Sequence, residues 1–173
     1  MKDFDEIYQR LEAIQAPGLL SADTPREGDP EDKTDKGRAG EAYALIEAAA
    51  AKEFLIAVRD DAELAFDILV DLTATDPDAE DEDLWLNLHL LSLGHGHRLA
   101  VKAMVPKSDP VVPSMVDAHM AAHFHERECA EMFGITFEGN PDPRNILLPD
   151  DWKGHPLRKD YEFPKEYHGI SCE

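Results

Sequence analysis

The densest group of reactive side chains lies between residues 119 and 131. His119 and His123 stand four apart, and His125, Glu126, Glu128 and Cys129 follow closely. On a helix an HxxxH pair shares one face and can hold zinc. The string HExxH is absent, because the chain reads HEREC there, and no third ligand follows at a recognised spacing. The plainer reading is a polar helix face whose histidines find hydrogen-bond partners. Next to it, Glu126-Arg127-Glu128 alternates in sign. These three cannot all face one way on a helix. Glu126 falls on the face shared by Ala118, Ala122, Cys129 and Phe133. A buried carboxylate there needs a cation, and Arg144 and Arg158 are the candidates.

A second charged group is GHPLRKDY, which sets Arg158-Lys159-Asp160 between Leu157 and Tyr161. This pattern suits docking on an acidic or carboxylate-rich surface; the plain alternative is exposed loop charge. His95 and His97 flank Gly96 and read as turn residues. The chain carries no Gly-rich phosphate loop, GxSxG elbow or dinucleotide fingerprint.

These groups need elements to position them. Phe4, Ile7, Leu11 and Ile14 recur at helical spacing, and Pro17-Gly18 ends that helix. Ser21–Gly40 is charged and rich in Gly and Pro, which predicts a mobile linker. An Ala-rich stretch from Ala39 favours helix, although Ala42–Ile46 also suits a short strand. Three apolar runs follow: FDILVDLTATD, DLWLNLHLLSLG and HRLAVKAMVP. Leu84, Leu86, Leu88 and Leu90 alternate opposite Trp85, Asn87 and His89, and Leu99, Val101 and Ala103 alternate in the next run. That period marks strands with one buried face, and GHG joins the last two as a hairpin. The expected fold is α+β, a mainly antiparallel sheet with helices packed on one side. The string VPSMVDAHMAAHFHERECAEMFG predicts a long helix, with Ser114 and Asp117 as a capping box and Gly134 as its stop.

The last stretch differs. Gly139–Glu173 holds Pro141, Pro143, Pro149, Pro156 and Pro164, too many for regular structure. It also holds Ile146, Leu147, Leu148, Trp152, Leu157, Tyr161, Phe163 and Tyr167, which is not the composition of a disordered tail. The organisation that follows is an N-terminal helix and linker (1–40), an α+β domain (41–138) and an extended docking arm (139–173). Ordering the arm costs backbone entropy, so it is expected to be held loosely on its own domain and firmly only against a partner.

Formal net charge is −20, which argues against nucleic acid as a partner. No run approaches the roughly 18 apolar residues of a membrane span, and the N-terminus is too charged for a signal peptide. Cys129 and Cys172 are far apart and form no CxxC pair, which excludes a self-contained iron–sulfur ligand set and a disulfide scaffold. That usage points to the cytoplasm.

From His125 to Tyr161 the chain resembles the family of the C subunit of proton-pumping NADH:quinone oxidoreductase, respiratory complex I. The family pattern is ERE, an acidic residue three on, a hydrophobic pair, GI-x-F-x-G-H-P-D-L-R-R, and later G-x-P-L-R-K-D-Y. Here Glu126-Arg127-Glu128 is ERE, Glu131 the acidic residue and Met132-Phe133 the pair. Gly139, Pro141, Asp142 and Arg144 match, as do Gly154, Pro156, Leu157, Arg158, Lys159, Asp160 and Tyr161. Asn140, Pro143 and Asn145 depart from the usual His, Leu and second Arg. The likeness extends over roughly Lys52 to the C-terminus, and by analogy AYALIE is a short strand and KEFLIAVRDD the helix after it. The resemblance implies a non-catalytic peripheral-arm subunit with no catalytic, cofactor or metal residues of its own. FMN and iron–sulfur clusters would belong to partner subunits. The arm would wrap the quinone-site subunit, with the matched residues and Trp152 forming the motif and interface. The chain would sit on the cytoplasmic side of the bacterial plasma membrane, touching the membrane only through the complex. Membrane-bound hydrogenase-type complexes contain a homologous subunit, which is the alternative placement.

Overall fold

The computed structural model describes residues 1–24, 26–27, 37–38 and 41–171. Helix α1 (Phe4–Ala13) starts at Asp3, whose carboxylate accepts from the Glu6 N–H while Glu6 accepts from the Asp3 N–H, a complete capping box. Its apolar stripe turns Ile7 and Leu11 into the core.

The chain then forms β1 (Leu19–Asp23), the two-residue strands β2 (Arg26–Glu27) and β3 (Gly37–Arg38), and β4 (Tyr43–Glu47). A short 3-10 turn leads into α2 (Ala51–Asp60). Strands β5 (Ile68–Thr75), β6 (Asp83–Leu91), β7 (Arg98–Pro106) and β8 (Val111–Pro113) follow, then α3 (Ala122–Phe133), β9 (Thr136–Glu138) and the small hairpin β10 (Glu166–Tyr167) and β11 (Ile170–Ser171). The main sheet runs β1-β4-β7-β6-β5. All its neighbours are antiparallel except β4 and β7, where Tyr43 lies opposite Ala100. The fold is thus α+β and mainly antiparallel. Leu84, Leu86, Leu88 and Leu90 face Val105, Ala103, Val101 and Leu99 across β6–β7. All eight are buried, against Phe54, Leu55 and Val58 of α2, Cys129 of α3 and the stripe of α1. Each fully buried leucine contributes about 1.5–3 kcal/mol. The other face is half-exposed and polar: Lys102 stands 4.4 Å from the Tyr43 ring, and His89 Nδ1 lies 2.8 Å from Asp71.

Three expectations change. Ser21–Asp23 do not begin a linker; they pair with Tyr43–Leu45 as a strand at the edge of the main sheet, where the ladder takes up backbone groups. Beyond Thr24, β2 and β3, the rest of the expected linker lies outside the described residues, as does Cys172. His97 is no turn ornament either: it is buried, with Nε2 2.7 Å from the Leu64 carbonyl. The third change concerns the start of α3 and is explained with the site it serves.

Candidate functional site

Helix α3 begins at Ala122, not at Ser114, because the capping box has lost both halves to other partners. The Ser114 N–H donates to the Glu138 carbonyl at 2.8 Å, joining β8 to β9. The Ser114 hydroxyl donates to Glu126 Oε2 at 2.8 Å. Asp117 instead pairs with Lys52 at 2.8 Å. Residues 116–121 therefore form turns, and His119 sits in them rather than one helical turn before His123. Its Nε2 is 2.8 Å from the Phe66 carbonyl, and burial lowers its pKa. His123 packs edge-on against Phe124. Among the described residues no group of three His, Cys, Asp or Glu side chains could hold a metal ion. Cys129 is a core residue against the Leu72 carbonyl of β5, and burial pushes its thiol up to about 12.

What α3 does gather is the arm. Glu126 is fully buried, as its place on the apolar face predicts, but among the described residues neither Arg144 nor Arg158 pairs with it; their bonds go elsewhere. Its carboxylate accepts from the Met115 N–H at 2.6 Å, the Ser114 hydroxyl and Asn140 Nδ2 at 2.8 Å. Burial raises its pKa against the pull of these donors. Three donors satisfy the oxygens without the desolvation cost of a second buried ion. The expected cations work elsewhere. Arg144 forms a two-pronged pair with Asp142 at 2.7 Å, which holds that carboxyl well below the usual range. Arg158 reaches the end of α3.

Arg127, nearly buried, donates through Nε to the Arg144 carbonyl at 2.8 Å and lies over the Phe124 ring. One turn on, Glu131 is buried and accepts the backbone N–H groups of Ile146, Leu147 and Leu148 at 3.0–3.2 Å. A carboxylate gripping three successive amides resembles an anion nest with the polarity supplied by the arm. The last carbonyls of α3 lack partners inside the helix. The arm supplies them: His155 Nδ1 to Glu131 O at 3.0 Å, the Leu157 N–H to Met132 O at 3.1 Å, and Arg158 Nε to Phe133 O at 2.6 Å. A cation at a helix C-terminus also suits the dipole. Gly134 stops the helix at φ +76°, as expected, and leaves room for His155.

Beyond it, the Lys159 N–H donates to Asp76 at 2.9 Å, and Lys107 pairs with the other oxygen of Asp76 at 2.7 Å. Burial works to raise the Asp76 carboxyl, but Lys107, the Lys159 amide and Arg158 outweigh it and lower its pKa. Tyr161 lies over Gly154 and donates to the Lys153 carbonyl. Glu128, Gly139, Pro141, Leu157, Lys159 and Asp160 are exposed, Trp152 and Pro156 half-buried, and Phe133 buried. The arm is thus hydrogen-bonded to its own domain through main-chain groups and through the Asn140, His155 and Arg158 side chains. Its apolar side chains are left outside: Leu147 is 61% exposed, Leu157 51%, Phe163 67% and Ile170 70%.

Asn140, His155, Asp76 and Ser114 belong to this clamp and were not singled out as partners by sequence. His155 lies inside GHPLRKDY, and Asn140 stands within the matched block at a position where it departs from the pattern. Asp76 carries no local signal, and the local signal at Ser114, a capping box, points away from its remote partners Glu126 and Glu138.

The family profile described as "Respiratory-chain NADH dehydrogenase, 30 Kd subunit" matches residues 44–167. The C subunit of NADH-quinone oxidoreductase from Chloroherpeton thalassium is 44% identical over 113 residues, covering 65% of this chain and 47% of that protein. The chain spans about half the length of this and several further curated relatives. A solved trypsin-resistant fragment of Nqo5, residues 1–134, superposes with TM-score 0.58 at 28% identity, covering 79% of this chain and 98% of the fragment. A chain of the membrane-bound sulfane sulfur reductase, an archaeal respiratory membrane complex, superposes with TM-score 0.66 at 26% identity, covering 91% of this chain and 84% of that one.

Proposed function

The chain belongs to the family of the 30 Kd subunit of respiratory-chain NADH dehydrogenase, and from that premise we propose that it is a non-catalytic peripheral-arm subunit of an NADH:quinone oxidoreductase. In this reading it positions and supports the quinone-site subunit. Electrons pass from NADH through FMN and iron–sulfur centres held by other chains, and this one holds none. It works at the cytoplasmic side of the bacterial plasma membrane, attached through the complex. No helix of the described residues is long and apolar enough to cross a membrane.

One observation carries the reading. The arm is fixed by backbone bonds to α3 while Leu147, Leu157, Phe163 and Ile170 stay exposed. A segment held by its main chain presents apolar side chains at little further entropic cost on binding, which is what a docking surface requires. The motif residues divide accordingly. Glu126, Arg127, Glu131 and Arg158 shape the arm from within, and the outward Leu157, Lys159 and Asp160 meet the partner.

The test is a pull-down. A chain ending at Pro149 keeps its β-rich circular dichroism and fails to co-purify with the neighbouring subunits; normal stoichiometry would overturn the docking role. The likeness to a chain of an archaeal respiratory membrane complex favours a second reading, the equivalent subunit of a hydrogenase-type complex. The identity of the co-purifying subunits separates the two.

A further inference from the structure

A cavity of about 400 Å³ lies entirely within the arm, downstream of the clamp. Trp152, Tyr161 and Tyr167 line it together with Asp151, Glu162 and Glu166. The rings are fixed rather than loosely apposed. Trp152 and Tyr167 form a corner, with centroids 5.3 Å apart and planes inclined at 51°. The Tyr167 hydroxyl donates to Asp151 at 2.7 Å, and the Tyr161 hydroxyl to the Lys153 carbonyl at 3.3 Å. Tyr161 lies so close over Gly154 that an added Cβ would meet its ring at 2.6 Å. The β10–β11 hairpin turns through His168 and Gly169, both at positive φ, the geometry of a tight primed turn, and so carries Tyr167 into the wall.

The charged groups of this wall are mainly acidic, with Lys153 and His168 beside Asp151, Glu162 and Glu166. Asp151 is engaged by Tyr167 and, at 2.8 Å, by His168. Glu162 and Glu166 make no ion pair with a described residue. Lys153 is the one lysine at the rim, and cation–π contacts among the described residues are made at Tyr43, Trp85 and Phe124 instead. Three aromatic residues, and two carboxylates that make no ion pair with a described residue, line one cavity, an environment that favours a cation.

We propose that this cavity receives an arginine side chain presented by the subunit on which the arm docks. A planar guanidinium stacks on aromatic faces, bonds carboxylates through two N–H groups and gives up its hydration more readily than an ammonium. The source of the arginine rests on the docking reading above; the chemistry of the cavity does not.

Nα-acetyl-arginine amide is titrated into the full chain, and the Trp152 indole N–H, assigned with Trp152→Phe, is followed by proton–nitrogen correlation spectroscopy. Its uncharged analogue Nα-acetyl-citrulline amide is the control. The arginine compound gives a saturable shift and the citrulline compound none. Tyr167→Ala abolishes the shift. Because that variant could loosen the hairpin, Glu162→Gln/Glu166→Gln keeps the shape and weakens binding about twofold to fivefold for each charge removed. No saturation, an equal response to citrulline, or unchanged affinity in the double variant overturns the proposal. The titration needs no partner, so it succeeds or fails independently of the pull-down with the shortened chain.

Discussion

Glu126 and Glu131 sit on one helix and hold two different joints. Glu131 accepts three successive amides of the arm, and hydrogen bonds to a charged group contribute about 1.5–3 kcal/mol each, less whatever water returns. Glu131→Ala should therefore lower stability by about 2–3 kcal/mol in urea melts. It should also speed proteolytic nicking near residues 144–150; an unchanged nicking rate would mean that the arm does not depend on this carboxylate. Glu126→Ala orphans Ser114, the Met115 amide and Asn140. It should be comparably costly, but should loosen the entry to α3 before the arm. The burial of Glu126 was readable from spacing, whereas its partners were not, because they come from β8 and from the start of the arm. Burial also sets the response to pH. His97 and His119 titrate below the ordinary 6.5, so between their folded values and 6.5 the unfolded chain binds more protons, and stability is lost as pH falls through that window. Glu126 titrates above its ordinary 4.5. Its contribution has the opposite sign: it is present below 4.5 and lost as pH rises through the folded value. In His97→Gln/His119→Gln the drop in urea midpoint from about pH 7 to about pH 5 should flatten; an unaltered slope would show that these histidines do not cause it.

The strands were legible because a half-buried sheet imposes period two, and β6 obeys it with four leucines on one face. The parallel pairing of β4 with β7 was not, since alternation says which face is buried and nothing of which strand lies alongside. β1 was hidden because it is short, shows no alternating burial and is an edge strand flanked by Pro and charge. The start of α3 misled because Ser114-x-x-Asp117 fits a capping box locally, and only the fold reveals that β9 and Glu126 claim the serine. The end of α3 was legible as Gly134 but not as a joint with the arm. There an alanine Cβ would stand 2.6 Å from His155 and 3.1 Å from Arg158, on a backbone at φ +76°. The conformation alone costs about 1–2 kcal/mol, and each kcal/mol lowers the midpoint by about 2–4 °C in a chain of this size. Gly134→Ala should thus melt earlier than the parent in a thermal scan. The loss should shrink in a chain ending at Pro149, which lacks His155 and Arg158. Equal losses in both backgrounds would mean that the arm does not press on this position.

At the scale of the whole molecule, the proline-rich apolar stretch announced an arm, and its composition excluded disorder, but nothing local told that its backbone would close back on α3. The charge of −20 was legible at once and has a consequence for stability. In Gly139–Glu173 five Lys or Arg stand against seven Asp or Glu, so most of the negative charge lies on the body before the arm. Folding concentrates that charge, and self-repulsion opposes the compact state. Salt shortens the reach of the repulsion, to about 8 Å at physiological ionic strength. It also weakens exposed ion pairs such as Lys2–Glu63 and Lys52–Asp117, but such pairs contribute only about 0–1 kcal/mol each. The repulsion, summed over many unpaired carboxylates, should win. The isolated chain is therefore expected to melt at a higher temperature as sodium chloride is raised from about 0.01 M to about 0.15 M. Its capture by the neighbouring subunits should slow over the same range, because an acidic surface finds its partner through long-range attraction that salt screens. Differential scanning calorimetry tests the first expectation and stopped-flow or surface capture the second. A midpoint that falls with salt would show that local ion pairs, rather than net charge, govern the stability of this fold.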